Sequence, residues 1–249
     1  MNGKSLMKDL VGTVASRAGV ELIAQWRLAN LHHARRLRSV FSHFGIKAVI
    51  DVGANEGQFR DMLRQELGFS EWIYSFEPDP ALASALERRA ANDPGWNVQP
   101  FALGRVPGRG ELNIMQEPSY NSFRDPAQDQ APGHASRNKV LRSVDVEIRT
   151  LDAVAGMFAD LPHTYLKIDT QGFDLEVIAG GMDTLRRIPA LQIEIPVRPI
   201  YQDTPSFEES LAALRSQGFA IADMFLVSSD DQLRAVEFDC LMVRDGSAP

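Results

Sequence analysis

The feature that most constrains the fold of this chain is an apolar strand that runs straight into a glycine turn and then into a helix. It occupies Val49 to Phe59 and reads VIDVGANEGQF. Gly53 and Gly57 let the backbone bend sharply and come close to a ligand, because neither carries a side chain that would stand in the way. Strand, turn and helix in this order begin a βαβ unit, so a parallel sheet with helices on its faces is predicted.

Short apolar runs alternate with amphipathic stretches over most of the remaining chain. Further parallel strands are predicted at WIYSF, NVQ, YLKID and ALQIEI, with helices at FRDMLRQELG, ALASALERRAA, DLEVIAGGMDTLRRI and SFEESLAALRSQGF. The last two strands, FAIADMFLVS and VEFDCLMVR, are separated only by SSDDQ and should pair as an antiparallel hairpin. The predicted fold class is α/β and Rossmann-like, with a mostly parallel seven-stranded sheet, an antiparallel C-terminal hairpin, flanking helices and an N-terminal helical extension.

Residues 1–44 are predicted to form this helical extension, and residues 45–249 the main domain. Apolar residues recur in the extension at roughly helical spacing, and Gly45 is expected to end its last helix; they are Leu6, Leu10, Val14, Leu22, Trp26 and Leu31. Its second half is basic, which fits a solvated helix face better than an anion site or an oligomer interface; the residues are His32, His33, Arg35, Arg36, Arg38 and His43. A homo-oligomer formed through these helices is the alternative.

An insert or lid is expected at about residues 111–148 of the main domain. GELNIMQ and SVDVEIRTL have the alternating pattern of strands, and a polar segment from Glu117 to Arg137 separates them. A long polar connection inside a compact domain is usually either a functional loop or a disordered one. We expect this one to lie on the substrate side.

The composition argues against some partners and locations. A formal net charge of −7 disfavours a general nucleic-acid binder, because binding phosphates requires a basic face. Cys240 is the only cysteine, so no intramolecular disulfide can form, which is compatible with a reducing compartment and favours the cytoplasm. Charged residues interrupt every apolar run near the N-terminus, so neither a signal peptide nor a membrane-spanning helix is predicted.

The glycine turn differs from the dinucleotide-binding fingerprint. G-x-G-x-x-G seats a pyrophosphate on a helix N-terminus, whereas this turn has Ala54 and Asn55 and places the acid Glu56 beside them. The carboxylate of Asp51 at the strand end suits a ligand that carries an ammonium and a sulfonium group. S-adenosylmethionine has both groups and is the predicted cofactor.

A second acid and an apolar run complete the predicted cofactor site. Glu77, at the tip of the second strand, is placed to hold a ribose diol, while Asp79 is expected to cap the next helix. Phe101, Ala102 and Leu103 follow the third strand and either wall an adenine slot or belong to the core.

Several motifs resemble the FkbM-type methyltransferases, a branch of class I S-adenosylmethionine-dependent enzymes that mostly methylate hydroxyl groups of sugars and natural products. The resemblance runs from about Lys47 to Arg244 and rests on VIDVGANEGQF, FEPDP, FALG, GELNI, Asn121-Ser122, a strand RTLDAV and LKIDTQGFDLEVIAGG. The last segment is the most specific, because a generic Rossmann domain does not require its Lys167, Asp169, Gly172 and Gly180. The resemblance implies the class I methyltransferase fold and O-methylation of a saccharide or a glycosylated natural product.

The resemblance also implies site residues. Gly53, Asn55 and Glu77 should contact the cofactor, and Asn121 and Ser122 should lie where its methionine part meets the acceptor. Gln171 stands where many relatives carry an acid, so no charge-based role is assigned to it. The full predicted cofactor set is Asp51, Gly53, Ala54, Asn55, Gly57, Phe59, Glu77, Pro78, Ala102, Leu103, Asn121, Ser122 and Asp169.

Methyl transfer to a hydroxyl needs an aligned acceptor and a group that takes its proton. Asp169 and Glu194 lie at the ends of neighbouring predicted strands, whose carboxyl ends converge on the ligand crevice. Either Asp169 is the base or acceptor-orienting group with Glu194 in support, or both acids bind Mg²⁺ or another divalent cation. Lys167 lies on the same strand face as Asp169 and can keep that carboxylate ionised.

Other assignments stay open from the residues alone. His134 and His163 are alternative bases, although their loop positions favour the surface. Tyr201 is a candidate acceptor wall, and Arg198 suits an anionic acceptor or an ion pair with Glu194. Two other functions are a nicotinamide-dependent oxidoreductase, disfavoured by the missing third glycine and the terminal hairpin, and a non-catalytic nucleotide-binding module.

Overall fold

The computed structural model describes residues 28–130, 133–159, 161 and 163–246. The predicted helical positions Leu6, Leu10, Val14, Leu22 and Trp26 lie outside this part of the chain. Helix α1 spans Leu28–Phe44, and Gly45 follows it with a φ of 59°, as expected for a glycine that ends a helix. No helix within the described ranges is long and apolar enough to span a bilayer.

The other helices are short and lie between strands. They are α2 (Gln58–Met62), α3 (Pro80–Ala90), α4 (Leu151–Val154), α5 (Asp174–Ala179), α6 (Met182–Leu185) and α7 (Phe207–Ser216). The strands are β1 (Ala48–Val52), β2 (Trp72–Phe76), β3 (Trp96–Gln99), β4 (Ala102–Leu103), β5 (Gly108–Met115), β6 (Val140–Arg149), β7 (Thr164–Ile168), β8 (Ala190–Pro196), β9 (Phe219–Ser229) and β10 (Ala235–Arg244).

The main sheet has the topology predicted from the sequence. Over the described residues it contains seven strands in the order β3-β2-β1-β7-β8-β10-β9. The five strands from β3 to β8 pair in parallel, whereas β10 is antiparallel to both β8 and β9. The short turn between β9 and β10 forces this reversal, because parallel neighbours need a long crossover. The Rossmann-like class I methyltransferase fold with an antiparallel C-terminal hairpin is therefore confirmed.

Two local predictions were wrong. The predicted strand RTLDAV stops at Arg149, because the side chain of Thr150 accepts a hydrogen bond from Ala153 N and starts α4. The predicted single helix DLEVIAGGMDTLRRI is broken into α5 and α6 at its glycine pair. A Cβ on Gly180 would lie 2.0 Å from the carbonyl oxygen of Gly104, so this glycine allows a close backbone approach that a regular helix does not make.

A smaller sheet and α1 lie against the main sheet. The order of the small sheet is β4-β6-β5, and the polar segment after β5 leads back to β6 within the region predicted as an insert. On one face of the main sheet, Leu37 and Phe41 of α1 are buried with Tyr165 and Leu241. The opposite face carries the other main apolar cluster, which leaves the carboxyl ends of β1, β7 and β8 open for polar side chains.

Candidate active site

A cavity of about 470 Å³ lies at the carboxyl ends of the central strands. It runs across the sheet from the end of β2, past β1 and β7, to β8 and β10. The predicted site residues that line it are Gly53, Ala54, Asn55, Phe59, Glu77, Pro78, Ala102, Leu103, Asn121, Lys167, Asp169 and Glu194. Neighbouring parallel strands therefore bring together residues more than a hundred positions apart.

The Gly53 turn is fixed by backbone contacts that leave no room for a side chain. Its φ is 79°, and a Cβ added there would lie 1.8 Å from the carbonyl oxygen of Asp169. The amides of Gly53 and Ala54 both donate to the carbonyl of Phe76, at 3.0 and 3.1 Å. Glycine is thus required both by the backbone conformation and by the close approach of β7.

Glu77 is held by two backbone amides at the end of β2. Asn55 N donates to Oε2 at 2.7 Å and Asp79 N donates to Oε1 at 2.9 Å. Burial raises the pKa of Glu77 to about 7, even though both amides favour the charged form. The adjacent Asn55 side-chain oxygen is buried and has no hydrogen-bond partner among the described residues. A ligand with hydroxyl donors would satisfy this acceptor.

Asn121 ties the polar segment after β5 to the cofactor end of the cavity. Its side-chain oxygen accepts from Met115 N at 2.9 Å, and its Nδ2 donates to Asp79 Oδ2 at 3.2 Å. The other oxygen of Asp79 accepts from Ala81 N at 2.8 Å, which confirms Asp79 as the cap of α3. Asn121 therefore both lines the cavity and positions the segment.

Asp51 has a different role from the predicted one. Its side chain is fully buried and does not line the cavity. Ser75 Oγ donates to Oδ2 at 3.1 Å, and Lys167 Nζ lies 3.3 Å from Oδ1. As a correction, Asp51 pairs with the buried ammonium of Lys167 and does not face a ligand.

Lys167 connects the two strands that carry the site. Its Nζ donates to the carbonyl of Gly53 at 3.0 Å and lies 3.3 Å from Asp169 Oδ2. Burial disfavours the ammonium, but the carboxylates of Asp169 and Asp51 outweigh burial and raise the pKa of Lys167. Lys167 therefore ties the glycine turn to β7 and lies beside both carboxylates.

Gly57 and Ser122, which were predicted to contact the cofactor, do not line the cavity, and Phe101 takes the core position that was one of its two predicted roles. Gly57 has a φ of 84° at the start of α2, and a Cβ there would meet Leu86 and Trp96. Ser122 is buried and its Oγ donates to the backbone oxygen of Gln171 at 2.7 Å. Phe101 belongs to the apolar core, where its ring meets that of Phe76. All three residues therefore lie outside the lining of the cavity.

Asp169 and Glu194 are joined by an amide that sequence reasoning did not assign to the site. Gln171 Nε2 donates to Asp169 Oδ1 at 3.0 Å and to Glu194 Oε2 at 2.7 Å. Burial, together with the charge of Asp169, raises the pKa of Glu194 well above its ordinary value. The proposed ion pair between Glu194 and Arg198 does not form, because Arg198 binds Asp230.

The acid pair does not fit a divalent cation. Within the described ranges, no group of three or more His, Cys, Asp or Glu side chains is arranged to hold a metal ion. Between Asp169 and Glu194 stands the NH₂ group of Gln171, which points its hydrogens at both carboxylates. A divalent cation needs oxygen ligands at this position, which the amide nitrogen occupies.

The other suggested site residues lie away from the cavity. His163 is exposed, whereas His134, expected at the surface, is buried against the Tyr120 hydroxyl at 3.0 Å. Tyr201 is also buried and does not form an acceptor wall; its hydroxyl lies 2.7 Å from Gln171 Oε1. None of these three side chains lines the cavity, whereas Asp169 does.

The chain matches a known protein family over most of its main domain. A family model described as "Methyltransferase FkbM domain" matches residues 51–221, which is more than half of the chain. The chain belongs to the FkbM methyltransferase family. The resemblance predicted from the motifs is confirmed, and the nicotinamide-dependent alternative is wrong.

Individual relatives of this FkbM methyltransferase are distant. The chain is 27% identical over 184 residues to 2-O-methyltransferase NoeI of Sinorhizobium fredii (strain NBRC 101917 / NGR234). The match covers 64% of this chain and 72% of NoeI. Methyltransferase FkbM from Methylobacillus flagellatus KT is similar with a TM-score of 0.49 and 16% identity; the match covers 80% of this chain and 43% of that one. Magnesium protoporphyrin IX methyltransferase from Synechocystis PCC 6803 has a TM-score of 0.46 and 10% identity, and 98% of each chain is covered.

One end of the cavity lies largely outside the family match. His33 of α1, Ser228 of β9, and Glu237 and Asp239 of β10 line it together with Gln192 of β8. His33 Nε2 donates to Gln192 Oε1 at 2.7 Å, and burial lowers the pKa of its ring. Sequence reasoning missed these residues because they belong to no motif, and only the strand order places them beside Glu194.

Proposed function

We propose that this FkbM methyltransferase uses S-adenosylmethionine to methylate a hydroxyl group of a saccharide or a glycosylated natural product. The observation that carries the proposal is one cavity that joins the Gly53 turn and Glu77 to the pair Asp169 and Glu194. The name of NoeI, a 2-O-methyltransferase, supports oxygen as the acceptor atom.

The residues around β1 and β2 fit this cofactor. Glu77 and the unpartnered Asn55 Oδ1 supply acceptors for a ribose diol, and the Gly53 turn lines the cavity where the amino-acid part would lie. Ala102 and Leu103 supply an apolar wall for a flat base. When bound, S-adenosylmethionine supplies a methyl group already activated on a sulfonium.

Asp169 acts as the base for the acceptor hydroxyl. Its side chain is 32% exposed, in contrast to the buried Glu194, and it lines the cavity. Lys167, 3.3 Å from Asp169 Oδ2, compensates its charge. The protein thus aligns the hydroxyl and takes its proton at Asp169.

The far end of the cavity suits an uncharged, polyhydroxylated acceptor. Gln192, Ser228, Glu237 and Asp239 present hydrogen-bonding groups there. When ionised, Glu237 and Asp239 would repel a phosphorylated or acidic sugar at this end of the cavity, while Arg137, which also lines the cavity, belongs to the segment after β5. Arg198, once a candidate anchor for an anionic acceptor, is held by Asp230 and does not line the cavity.

The test is transfer of label from methyl-labelled S-adenosylmethionine to methyl glycosides of hexoses and deoxyhexoses, with the matching sugar phosphates as controls. We expect neutral glycosides to be labelled, phosphates not, and EDTA to have no effect. Loss of transfer with EDTA would restore the divalent-cation hypothesis. Binding of S-adenosylhomocysteine without transfer to any glycoside would contradict the proposed acceptor and favour the binding-only alternative.

A ligand screen by thermal melting separates the cofactors. A ligand at about a hundred times its Kd adds about 2.7 kcal/mol to the free energy of unfolding. S-adenosylhomocysteine should therefore raise the melting temperature by several degrees, and NAD should leave it unchanged. A response to NAD alone would overturn the cofactor assignment.

A further inference from the structure

Gln171 is the point where three parts of the chain meet beside the acid pair. It follows β7 with a φ of 52°, a conformation that costs a non-glycine residue about 1 kcal/mol or more. Ser122 Oγ donates to its backbone oxygen at 2.7 Å, and the Tyr201 hydroxyl lies 2.7 Å from its side-chain oxygen and 2.9 Å from the backbone oxygen of Tyr120. The backbone and the side chain of Gln171 are therefore held from separate segments.

These contacts determine which way the amide faces. Oε1 lies against the Tyr201 hydroxyl, and the NH₂ group faces the acids. An amide NH₂ has two hydrogens, and both are used: one on Asp169 Oδ1 at 3.0 Å, the other on Glu194 Oε2 at 2.7 Å. The two carboxylates are thus held at a set separation by a neutral donor.

The two acids are unequal in their other contacts. Asp169 has Lys167 within 3.3 Å, and its side chain is 32% exposed to the cavity. Glu194 is buried and forms no ion pair with a described residue. The charges that act on Glu194 are those of Asp169, Glu237, Asp239 and Asp174, and all of them disfavour its ionised form.

We propose that Gln171 is a positioning residue that holds Asp169 in place as the base and ties it to Glu194. This proposal rests on the proposed function. In the step concerned, the acceptor O–H bond breaks and its proton passes to Asp169, the new C–O bond forms, and the electron pair of the broken C–S bond stays on sulfur. A carboxylate at position 171 would remove the donor and add a negative charge beside both acids.

Two variants test the role of the amide, with a remote control. Gln171→Glu keeps the shape but removes the donor and adds charge; Gln171→Met removes the hydrogen bonds without adding charge. Gln232→Glu makes the same change in the exposed turn between β9 and β10. Melting curves and S-adenosylhomocysteine affinity within about threefold of wild type would show that each variant folds and keeps its cofactor end.

The informative readout is the pH profile of kcat/KM with the methyl glycoside that accepts label fastest. Activity should rise with pH as the base ionises, and this rise is the acid limb of the profile. We expect the acid limb to move up by about one pH unit or more in Gln171→Glu, and by less in Gln171→Met. kcat near neutral pH should fall about tenfold to a hundredfold in Gln171→Glu. Gln232→Glu should match wild type. A fall in kcat with an unmoved acid limb, or no change in either, would overturn the positioning role.

A second measurement does not depend on the acceptor. Side-chain carboxyl carbons of labelled Asp and Glu are titrated by NMR, with Asp169→Asn and Glu194→Gln used to assign the pair. In wild type, Glu194 should ionise well above the ordinary pH range of a glutamate, and Gln171→Glu should shift its ionisation further upward, because a donor is lost and a charge is added beside it. If wild type binds S-adenosylhomocysteine but methylates no glycoside, the proposed acceptor fails while this titration still decides the role of Gln171. An ionisation of Glu194 that is unchanged in Gln171→Glu would reject that role.

Discussion

The tightest steric requirement at the scale of single residues is at Gly53. Gly53→Ala would place a Cβ 1.8 Å from the Asp169 carbonyl oxygen, in addition to the cost of a positive φ. We expect it to lower the free energy of unfolding by more than about 2 kcal/mol and to abolish S-adenosylhomocysteine binding. Gly68→Ala is the matched control, since Gly68 has a φ of 69° and nothing within 4 Å of an added Cβ. Equal effects of the two in urea denaturation and calorimetry would contradict this steric account.

The raised pKa of Glu77 predicts that binding of the proposed cofactor depends on pH. Its pKa is raised by burial to about 7, and only the ionised form offers full acceptor capacity to a ribose diol. Affinity for S-adenosylhomocysteine should therefore decrease as the pH falls through about 7, measured by calorimetry. Glu77→Gln should bind about tenfold more weakly at alkaline pH and lose this dependence. The control is Glu87→Gln, because Glu87 is an exposed acid on α3, and this variant should behave as wild type. If Glu77→Gln kept the pH dependence, that dependence would belong to another group.

At the scale of elements, α1 lies outside the family match but is part of the core. Leu37 is fully buried against the main sheet, and His33 from the same helix reaches the cavity. Helix α1 therefore covers the main sheet and also forms part of the cavity wall. The predicted extension therefore contributes more than a solvated or oligomer-forming surface.

The substitution Leu37→Ala tests this contribution. It removes a fully buried side chain and should lower the free energy of unfolding by about 2 to 4 kcal/mol in urea denaturation. Leu141→Ala is the control, because Leu141 is 56% exposed on β6 and its loss should change stability by less than about 0.5 kcal/mol. A Leu37→Ala variant as stable as wild type would show that α1 is dispensable for folding.

At the scale of the whole molecule, the site concentrates acids whose ionisation the fold disfavours. Burial is the largest cause in each case, and it raises the pKa of Glu77 and Glu237 to about 7 and of Asp174 and Asp239 to about 6. Asp93 and Asp230 have pKa values lowered to about 2 by arginine partners and backbone amides, which outweigh burial. These two groups titrate at more acidic pH than the first four.

The pH dependence of the free energy of unfolding follows from the four acids whose pKa values are raised by burial. Between about pH 5 and pH 8 the folded protein retains protons that the unfolded chain has released, so the free energy of unfolding should fall as the pH rises. Melting temperatures of the ligand-free protein across this range would show the decline, and Glu237→Gln should make it shallower. Stability that is constant or rises over this interval would contradict the buried state of these acids.

Prediction from sequence succeeded where a signal is local and periodic. The strand before Gly53, the acid cap at Asp79 and the terminal hairpin all arise from neighbouring residues, and the structure has each of them. It failed where a distant contact overrides the local pattern. The glycine at 180 breaks a helical pattern because its backbone touches Gly104, and Asp51 looks like a ligand-binding acid until Lys167 is placed beside it.

The sequence by itself determined the order of strands and helices, the glycine turn and the family, because these depend on residues close together along the chain. Tertiary structure alone decided which polar groups share the cavity. Gln171 meets Glu194, and His33 meets Gln192, only because β7, β8 and α1 are adjacent in space. Sequence spacing carries no information about such pairs, since their contacts depend on strand order, register and the path of the chain between them.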